Sequence, residues 1–576
     1  PRPRPGPPPA SRRGPAADAA SRPPRPAATT AARALVLAIV GAVTGPQWDP
    51  VPVTEHLVPE TPDTTVGGQP PGGAAPVGTY DVRETDVTVR LDGATVGGVL
   101  REPVDAGDDL PGVVFVHGAG TGLASEAFVD VATDLASAGV VTLVPDKRLD
   151  TYTTRHRDYE AMARDYAHSV DLLRARPGVD PERVGLYGES EGTWIVPVMA
   201  ADDPTIAFTV LVSAPVVPPR QQAAFAVDSY LRNTDVPHGV FRAIPRAVGM
   251  AIPGGGFEYA DFDVEPFLGR LTQPVLVVYG TADPSMPVEQ GARQILDATG
   301  PSSQVPGGAD VTVRYYADAN HGIKIDDVLV PDFPRDVSAW VTSLPASAPA
   351  LPQVAGAEPT QQYLAGPVPS PRWLGNGDLF VALVLAAVGL LVLGPLVGLV
   401  GGLVRRLRRV AGRPGAPAGL APGFRVPLVG LGVGAFATTV ALVVYLVATA
   451  RLALDYEKDA WVVQGGWIGV RLVGLAPRVA GALRGHRAAA GPAARRGGHR
   501  GRAPRRGADE RPGPGRAPPA RAPAGWGSRG RAARAACSPT GPPRSAPRAV
   551  RTTSAGAPTR WSPRTRAGTC CRSRGA

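Results

Sequence analysis

From Leu379 to Val404 the chain runs for 26 residues without a charged side chain, and from Val426 to Ala450 for another 25. In hydrocarbon every backbone N–H and C=O must be paired within its own segment, so runs this long and pure are read as helices that span a bilayer. Two core helices of a soluble protein are the alternative, which the length and purity of the runs disfavour. The Gly residues and Pro395 inside the first run are tolerated in membrane helices. That run ends in Arg405-Arg406-Leu407-Arg408-Arg409, and residues 405–425 hold six Arg and no acid. Positive charge concentrates on cytoplasmic loops, so 405–425 is expected inside and the segments flanking the two helices outside. A third apolar segment, 461–475, is interrupted by Arg471 and reads as a partial third helix.

With 576 residues the chain exceeds what one core usually organises. Its net charge of +10 would suggest nucleic acid or a membrane as partner. Split by region, the charge says something else. Residues 80–345 hold 20 Lys+Arg against 38 Asp+Glu, while the positive excess lies in 1–33, in 405–425 and after Arg478. Residues 1–33 are Pro/Arg/Ala-rich and expected to be disordered. The short apolar run within 34–45 suits a signal-peptide core or a short anchor. Residues 478–576 have no hydrophobic period. They read either as a disordered basic tail or as an out-of-frame translation of a GC-rich gene, which a break inside an apolar helix favours. Apart from Trp526 and Trp561 no aromatics interleave the tail's arginines, so no nucleic-acid partner is expected. All three cysteines lie in this tail, which leaves nothing upstream to form a disulfide.

Residues 46–79 and 346–378 are rich in Pro, Gly, Ala and Thr and read as linkers. Between them, short apolar runs alternate with helical periods. Strands are expected at Asp86–Leu91, Thr95–Arg101, Val113–Val116, Val140–Val144, Val184–Tyr187, Phe208–Val212, Val275–Tyr279 and Val311–Tyr315. Helices are expected at Phe128–Ala138, Asp158–Arg174 and Glu191–Ala200. This is the pattern of an α/β domain with a mostly parallel sheet covered on both faces. Residues 217–270 break the rhythm and are expected as a small cap over the C-terminal edge of the sheet.

One motif in this domain carries chemistry. Gly188-Glu189-Ser190-Glu191-Gly192 matches G-x-S-x-G, follows a strand and opens a helix. Glycines flank such a serine because the sharp strained turn has no room for side chains. A nucleophilic serine needs an oxyanion hole, a base and an acid that orients the base. Glu191 supplies one backbone N–H. Gly118 or Ala119, in the loop after Val113–Val116, supplies the second. Asp283 follows the strand Val275–Tyr279, and His321 follows Val311–Tyr315. The order Ser190, Asp283, His321 is that of one of the three known triad arrangements. His117 reads as a structural loop residue. Asp318, Asp261 and Asp263 are rival acids less well placed. Glu191 fits a helix N-terminus; Glu189 or Glu191 selecting an amine-bearing substrate is the sharper alternative. His238 in the cap is a candidate substrate contact.

Residues 80–345 resemble α/β-hydrolases of the dienelactone-hydrolase, serine-aminopeptidase and prolyl-oligopeptidase-like branches. The matching pieces are VVFVHGAG at 113–120, DKR at 146–148, VDPERVGLYGESEG at 179–192, PVLVVYGTADPSMPV at 274–288 and NHG at 320–322. Many relatives have Gly where Leu149 and Thr193 stand. The resemblance implies the hydrolase fold and a small-molecule acyl substrate, with no metal and no organic cofactor. The expected protein is a multi-pass cell-membrane serine hydrolase, its catalytic domain on the extracytoplasmic side, cleaving carboxylic esters. A short-peptide peptidase or aminopeptidase, an acyltransferase and a non-catalytic hydrolase-like ectodomain remain the alternatives.

Overall fold

The computed structural model describes residues 36, 47–66, 75–234, 236, 238–251, 256–348, 350–371, 374–412, 425–454 and 457–476. The basic N-terminus, all of the expected signal or anchor segment except Val36, and the tail from 478 lie outside them.

β1 (Val82–Leu91) and β2 (Ala94–Pro103) form an antiparallel pair in which Leu91 faces Ala94 across the turn. Gly93 takes φ of 76° there, a conformation that costs a residue without a Cβ little. The strands that follow are β3 (Leu110–Val116), β4 (Val141–Pro145), β5 (Val179–Glu189), β6 (Thr209–Val212), β7 (Val275–Gly280) and β8 (Val311–Tyr316). The sheet order is β1-β2-β4-β3-β5-β6-β7-β8, with one further strand on the outer edge of β8. β2 meets β4 antiparallel, and from β4 onward every neighbour is parallel. This mostly parallel sheet with helices on both faces fits an α/β-hydrolase fold.

Side chains alternate across each strand, so the apolar runs supply two cores at once. In β3, Val114 and Val116 join one cluster and Val113 and Phe115 the other. In β7 the same division separates Val275 and Val277 from Leu276 and Val278. The first face is covered by α2 (Tyr159–Arg174), α3 (Gly192–Asp202) and α7 (Val288–Thr299). The second is covered by α1 (Val129–Ser137) and α8 (Asp332–Ser343).

The stretches expected as linkers are folded onto this domain where they are described. Val354–Gly356 pairs parallel with β8 as the ninth strand, here β11, after the small hairpin β9 (Lys324–Ile325) and β10 (Val328–Leu329). Val53 N–H donates to Gln362 O at 3.0 Å, Leu364 N–H to Val51 O at 2.7 Å, and Gly356 N–H to Thr61 O at 2.8 Å. The buried Glu289 of α7 pins both stretches. It accepts from Leu57 N–H at 2.8 Å and Gln361 N–H at 2.6 Å, and lies 3.0 Å from His56 Nδ1. Proline-rich composition hides such pairing, because the strand is three residues long and its partners are distant in sequence.

Residues 217–270 contain α4 (Pro219–Asn233), a short turn at His238–Ala243, α5 (Ile244–Val248) and α6 (Glu265–Leu268). Gln222 donates to Ser285 O at 3.1 Å, and Glu258 N–H to Arg155 O at 3.1 Å. The segment therefore touches the loops after β7 and β4, both at the carboxyl edge of the sheet.

α9 (Gly377–Val410) and α10 (Arg425–Leu454) are both long and apolar enough to cross a membrane. α9 continues through Arg405–Arg409, beyond the apolar run, because arginine is a good helix former. Asn376 begins it, its side chain accepting from Leu379 N–H at 3.0 Å. A further apolar helix, Trp461–Ala476, is shorter. Its Trp467 lies 5.6 Å from the Tyr445 ring of α10. Residues 217–270 touch the start of α9, at the end opposite Arg405–Arg409, and the stretch just beyond α10. Gly377 N–H donates to Ala251 O at 2.8 Å, and the Tyr230 hydroxyl to Glu457 O at 3.2 Å.

Candidate active site

The sharp turn after β5 puts Ser190 at φ of 55°, a left-handed conformation that costs an ordinary residue about 1–3 kcal/mol. Its surroundings enforce it. Ser190 N–H donates to Val212 O at 3.0 Å, at the end of β6. A Cβ on Gly188 would stand 2.7 Å from Val196 Cγ2, and one on Gly192 would overlap the Val116 carbonyl oxygen. Both flanking glycines are thus required by close approach, the second because β3 passes directly behind the start of α3.

Asp283 lies just beyond β7 and His321 beyond β8, and the two meet: His321 Nδ1 is 2.7 Å from Asp283 Oδ2. A carboxylate only accepts, so Nδ1 carries the proton and Nε2 is left as the basic nitrogen. The other oxygen of Asp283 accepts from Ser285 N–H at 2.9 Å and Ser285 Oγ at 2.7 Å. Burial disfavours the charge on Asp283, but His321 and the Ser285 bonds outweigh it and hold the carboxyl below its usual range. Burial likewise works against an imidazolium at His321. The Asp283 charge and hydrogen bond, with Glu189 adding, prevail and raise its pKa above the ordinary value.

Adjacent residues at the end of β6 draw the pieces to one corner. Val212 O holds Ser190, while Ser213 Oγ donates to His321 O at 2.8 Å. On the other side, Gly118 packs against the elbow, where a Cβ would sit 3.4 Å from Ser190 Cβ. The candidate nucleophile and oxyanion loop are neighbours, and the candidate base and acid are in direct contact.

Several of the other candidate residues have partners of their own. His117 is buried, with Nε2 2.7 Å from Pro145 O and Nδ1 3.1 Å from Thr121 Oγ1. Burial pushes its pKa down to about 4, so it is neutral, with Nε2 donating to the carbonyl. Asp318 is exposed on its turn, Asp261 pairs with Arg220 at 2.7 Å, and Asp263 accepts from Glu265 N–H at 3.1 Å. Glu189 receives the Tyr187 hydroxyl at 3.4 Å, and burial pushes its carboxyl up. Of His238, only the backbone position at the start of the cap's short turn is described.

Glu191 departs from the amine-selecting alternative. Only 1 % exposed, its carboxylate takes four donors. Lys147 Nζ lies at 3.1 Å, Arg157 at 2.5 Å, and the hydroxyls of Tyr152 and Tyr159 at 2.9 and 3.3 Å. A carboxylate so occupied holds the protein's own cations rather than a substrate's. Arg157 in turn stacks on the rings of Tyr152 and of Tyr259 in the cap, 4.9 and 4.5 Å from their centroids. None of these partners was singled out chemically from the sequence. The only signal was Lys147 inside the DKR match, one of three lysines in the chain.

A cavity of about 220 Å³ opens between α4 and the loop after β7, lined by Phe225, Asp228, Arg232, Asp283, Met286 and Tyr363 among others. It approaches the site from the acid's side.

No model of a known protein family matches the sequence, and no curated protein matches it either. Among solved structures it is similar to a dienelactone hydrolase from Anabaena variabilis, at 19% identity over 46% of this chain and 98% of that one, with a TM-score of 0.32. It is also similar to a hyperthermophilic esterase from Pyrobaculum calidifontis, at 20% identity over 46% of this chain and 84% of that one (TM-score 0.34). An esterase from Pyrococcus furiosus stands at 17% over 47% and 96% (TM-score 0.31). What this chain does has to be read from its own geometry.

Proposed function

We propose that the protein is a membrane-anchored serine hydrolase that cleaves carboxylic esters through an acyl-enzyme intermediate. The observation that carries this is the 2.7 Å contact of His321 Nδ1 with a buried carboxylate, in the corner where Ser190 occupies a strained turn between two obligatory glycines. Ser190 Oγ attacks the acyl carbonyl as His321 Nε2 takes its proton. The carbonyl oxygen gains the negative charge and is received by the N–H groups of Glu191 and Ala119. His321 returns the proton to the leaving oxygen. Water, deprotonated by the same nitrogen, then releases the acid and restores Ser190. Asp283 keeps the imidazole in the required tautomer and stabilises its cation.

α9 and α10 anchor the enzyme, and the arginine loop marks the cytoplasmic end. The cap contacts of Ala251 and Tyr230 support the outward placement, since they put the catalytic domain at the opposite ends of both helices. Treatment of the full-length protein with a fluorophosphonate probe tests the chemistry. Covalent labelling is expected in the wild type and none in Ser190→Ala; equal labelling of both would sink the proposal. Reporter fusions after Pro371 and Arg409 test the topology, with a cytoplasmic signal expected from the second alone.

A further inference from the structure

The buried charges behind the elbow touch both halves of the oxyanion hole. Lys147 lies in the loop after β4, 3 % exposed, and its Nζ donates to Gly118 O at 2.5 Å. That carbonyl and the Ala119 N–H are the two ends of one planar trans peptide and point in opposite directions. Whatever grips the carbonyl from behind sets the direction of the N–H in front. The same ammonium pairs with the Glu191 side chain at 3.1 Å, and the Glu191 N–H is the second donor. Arg157 and two tyrosine hydroxyls hold the remaining capacity of that carboxylate.

We propose that Lys147 is a positioning residue: it ties the Gly118–Ala119 peptide to Glu191 and so fixes the spacing and direction of the two N–H groups that receive the oxyanion. Two cations on one carboxylate also leave a positive charge behind the hole, on the side where the transition state becomes negative. The link extends outward, because Arg157 is stacked against Tyr259 of the cap. The inference rests on the serine-hydrolase reading, and it concerns transition-state stabilisation rather than substrate binding.

The test uses the full-length protein in detergent, with p-nitrophenyl acetate as substrate and a trifluoromethyl ketone as mimic of the tetrahedral oxyanion. Removing one oxyanion donor costs about 10²–10³ in rate, and misplacing one costs somewhat less. Lys147→Met is expected to lower kcat about 10- to 100-fold with KM within about twofold of wild type. Affinity for the ketone and the rate of fluorophosphonate labelling should fall by a similar factor. In Lys147→Met the Glu191 carboxylate stays paired one to one with Arg157 and bonded to both tyrosine hydroxyls, which protects the fold, and Lys147→Leu is made beside it as a second apolar replacement. Thermal unfolding of both should stay near wild type while the kcat loss persists. Wild-type kcat in either folded variant overturns the inference, as does a loss confined to KM. Hydrolysis that survives in Ser190→Ala overturns the hydrolase reading itself. A dead Ser190→Ala beside a fully active Lys147→Met overturns the role of Lys147 alone.

Discussion

β3 and α9 are built from the same few apolar side chains and meet opposite surroundings. Val113, Val114, Phe115 and Val116 are all at most 1 % exposed. In α9 no residue from Asp378 to Val410 is buried, and Leu390 is 69% exposed. The difference lies in how the backbone is paired. A strand needs neighbours on both sides, and the helices that cross over between parallel strands cover its two faces. A helix pairs its own N–H and C=O groups, so it can stand with an apolar surface all round wherever the solvent is hydrocarbon. Composition alone does not separate the two regions; run length and the turns bounding each run do.

Assigning chemistry to the sheet's carboxyl edge and anchoring to the helices can be broken by substitutions in each. The largest effect is expected at Asp283→Asn, which should lower kcat about 10⁴-fold by unfixing the imidazole tautomer, with membrane attachment unchanged. Its pH profile sharpens the point. In the wild type the raised pKa keeps His321 protonated above its ordinary value near 6.5, so kcat/KM should rise with pH through a limb above that value. Removing the Asp283 charge leaves burial as the main influence, and the residual activity should titrate at lower pH. A limb that stays in place would separate Asp283 from the base.

Next comes a matched pair of charges. Val114→Arg puts an unpaired charge between the sheet and its helices and should unfold the domain, at a cost of more than about 4 kcal/mol in denaturant titration. Leu390→Arg should cost about 2.5–3.5 kcal/mol in a membrane-insertion assay and leave any Ser190-dependent hydrolysis in detergent intact. If α9 stood in water, that exposed change would fall within about 0.5 kcal/mol. The smallest effect is at Gly192→Ala, expected to lower stability by about 1–3 kcal/mol as the new methyl pushes α3 away from β3. A thermal shift near zero would show that β3 and α3 can part without cost to admit the methyl.

The central strands and the elbow were legible in the sequence because each carries a local signature, period two for the strands and paired glycines for the turn. Asp283 and His321 stand out as candidates by their position after strands, which is also local. What the sequence does not show depends on distance in space. β11 lies inside Ala/Pro-rich sequence and gains its partners from β8 and from the segment near Thr61. The partners of Glu191 come from the one loop between β4 and α2 and from the first residue of α2, more than 30 residues upstream, and no spacing rule connects them. The charge on Glu191 was visible, but whether it faced a substrate or the interior was decided by Lys147 and Arg157.

The two stretches pinned by Glu289 give the domain a drawstring. Residues 51–64 and 352–364 are laced to one another and to the outer edge of the sheet, through the backbone bonds of Val53 and Leu364 and the contact of Arg314 with Thr64 O and Pro352 O. Cutting the chain at Tyr80 and Pro345 would untie it and leave β8 as a bare edge, ready to pair with another molecule. A fragment made without the two long helices should therefore be cut no closer than the residues near 47 and 371. Shortened further, it is expected to fail by aggregation before its chemistry can be measured.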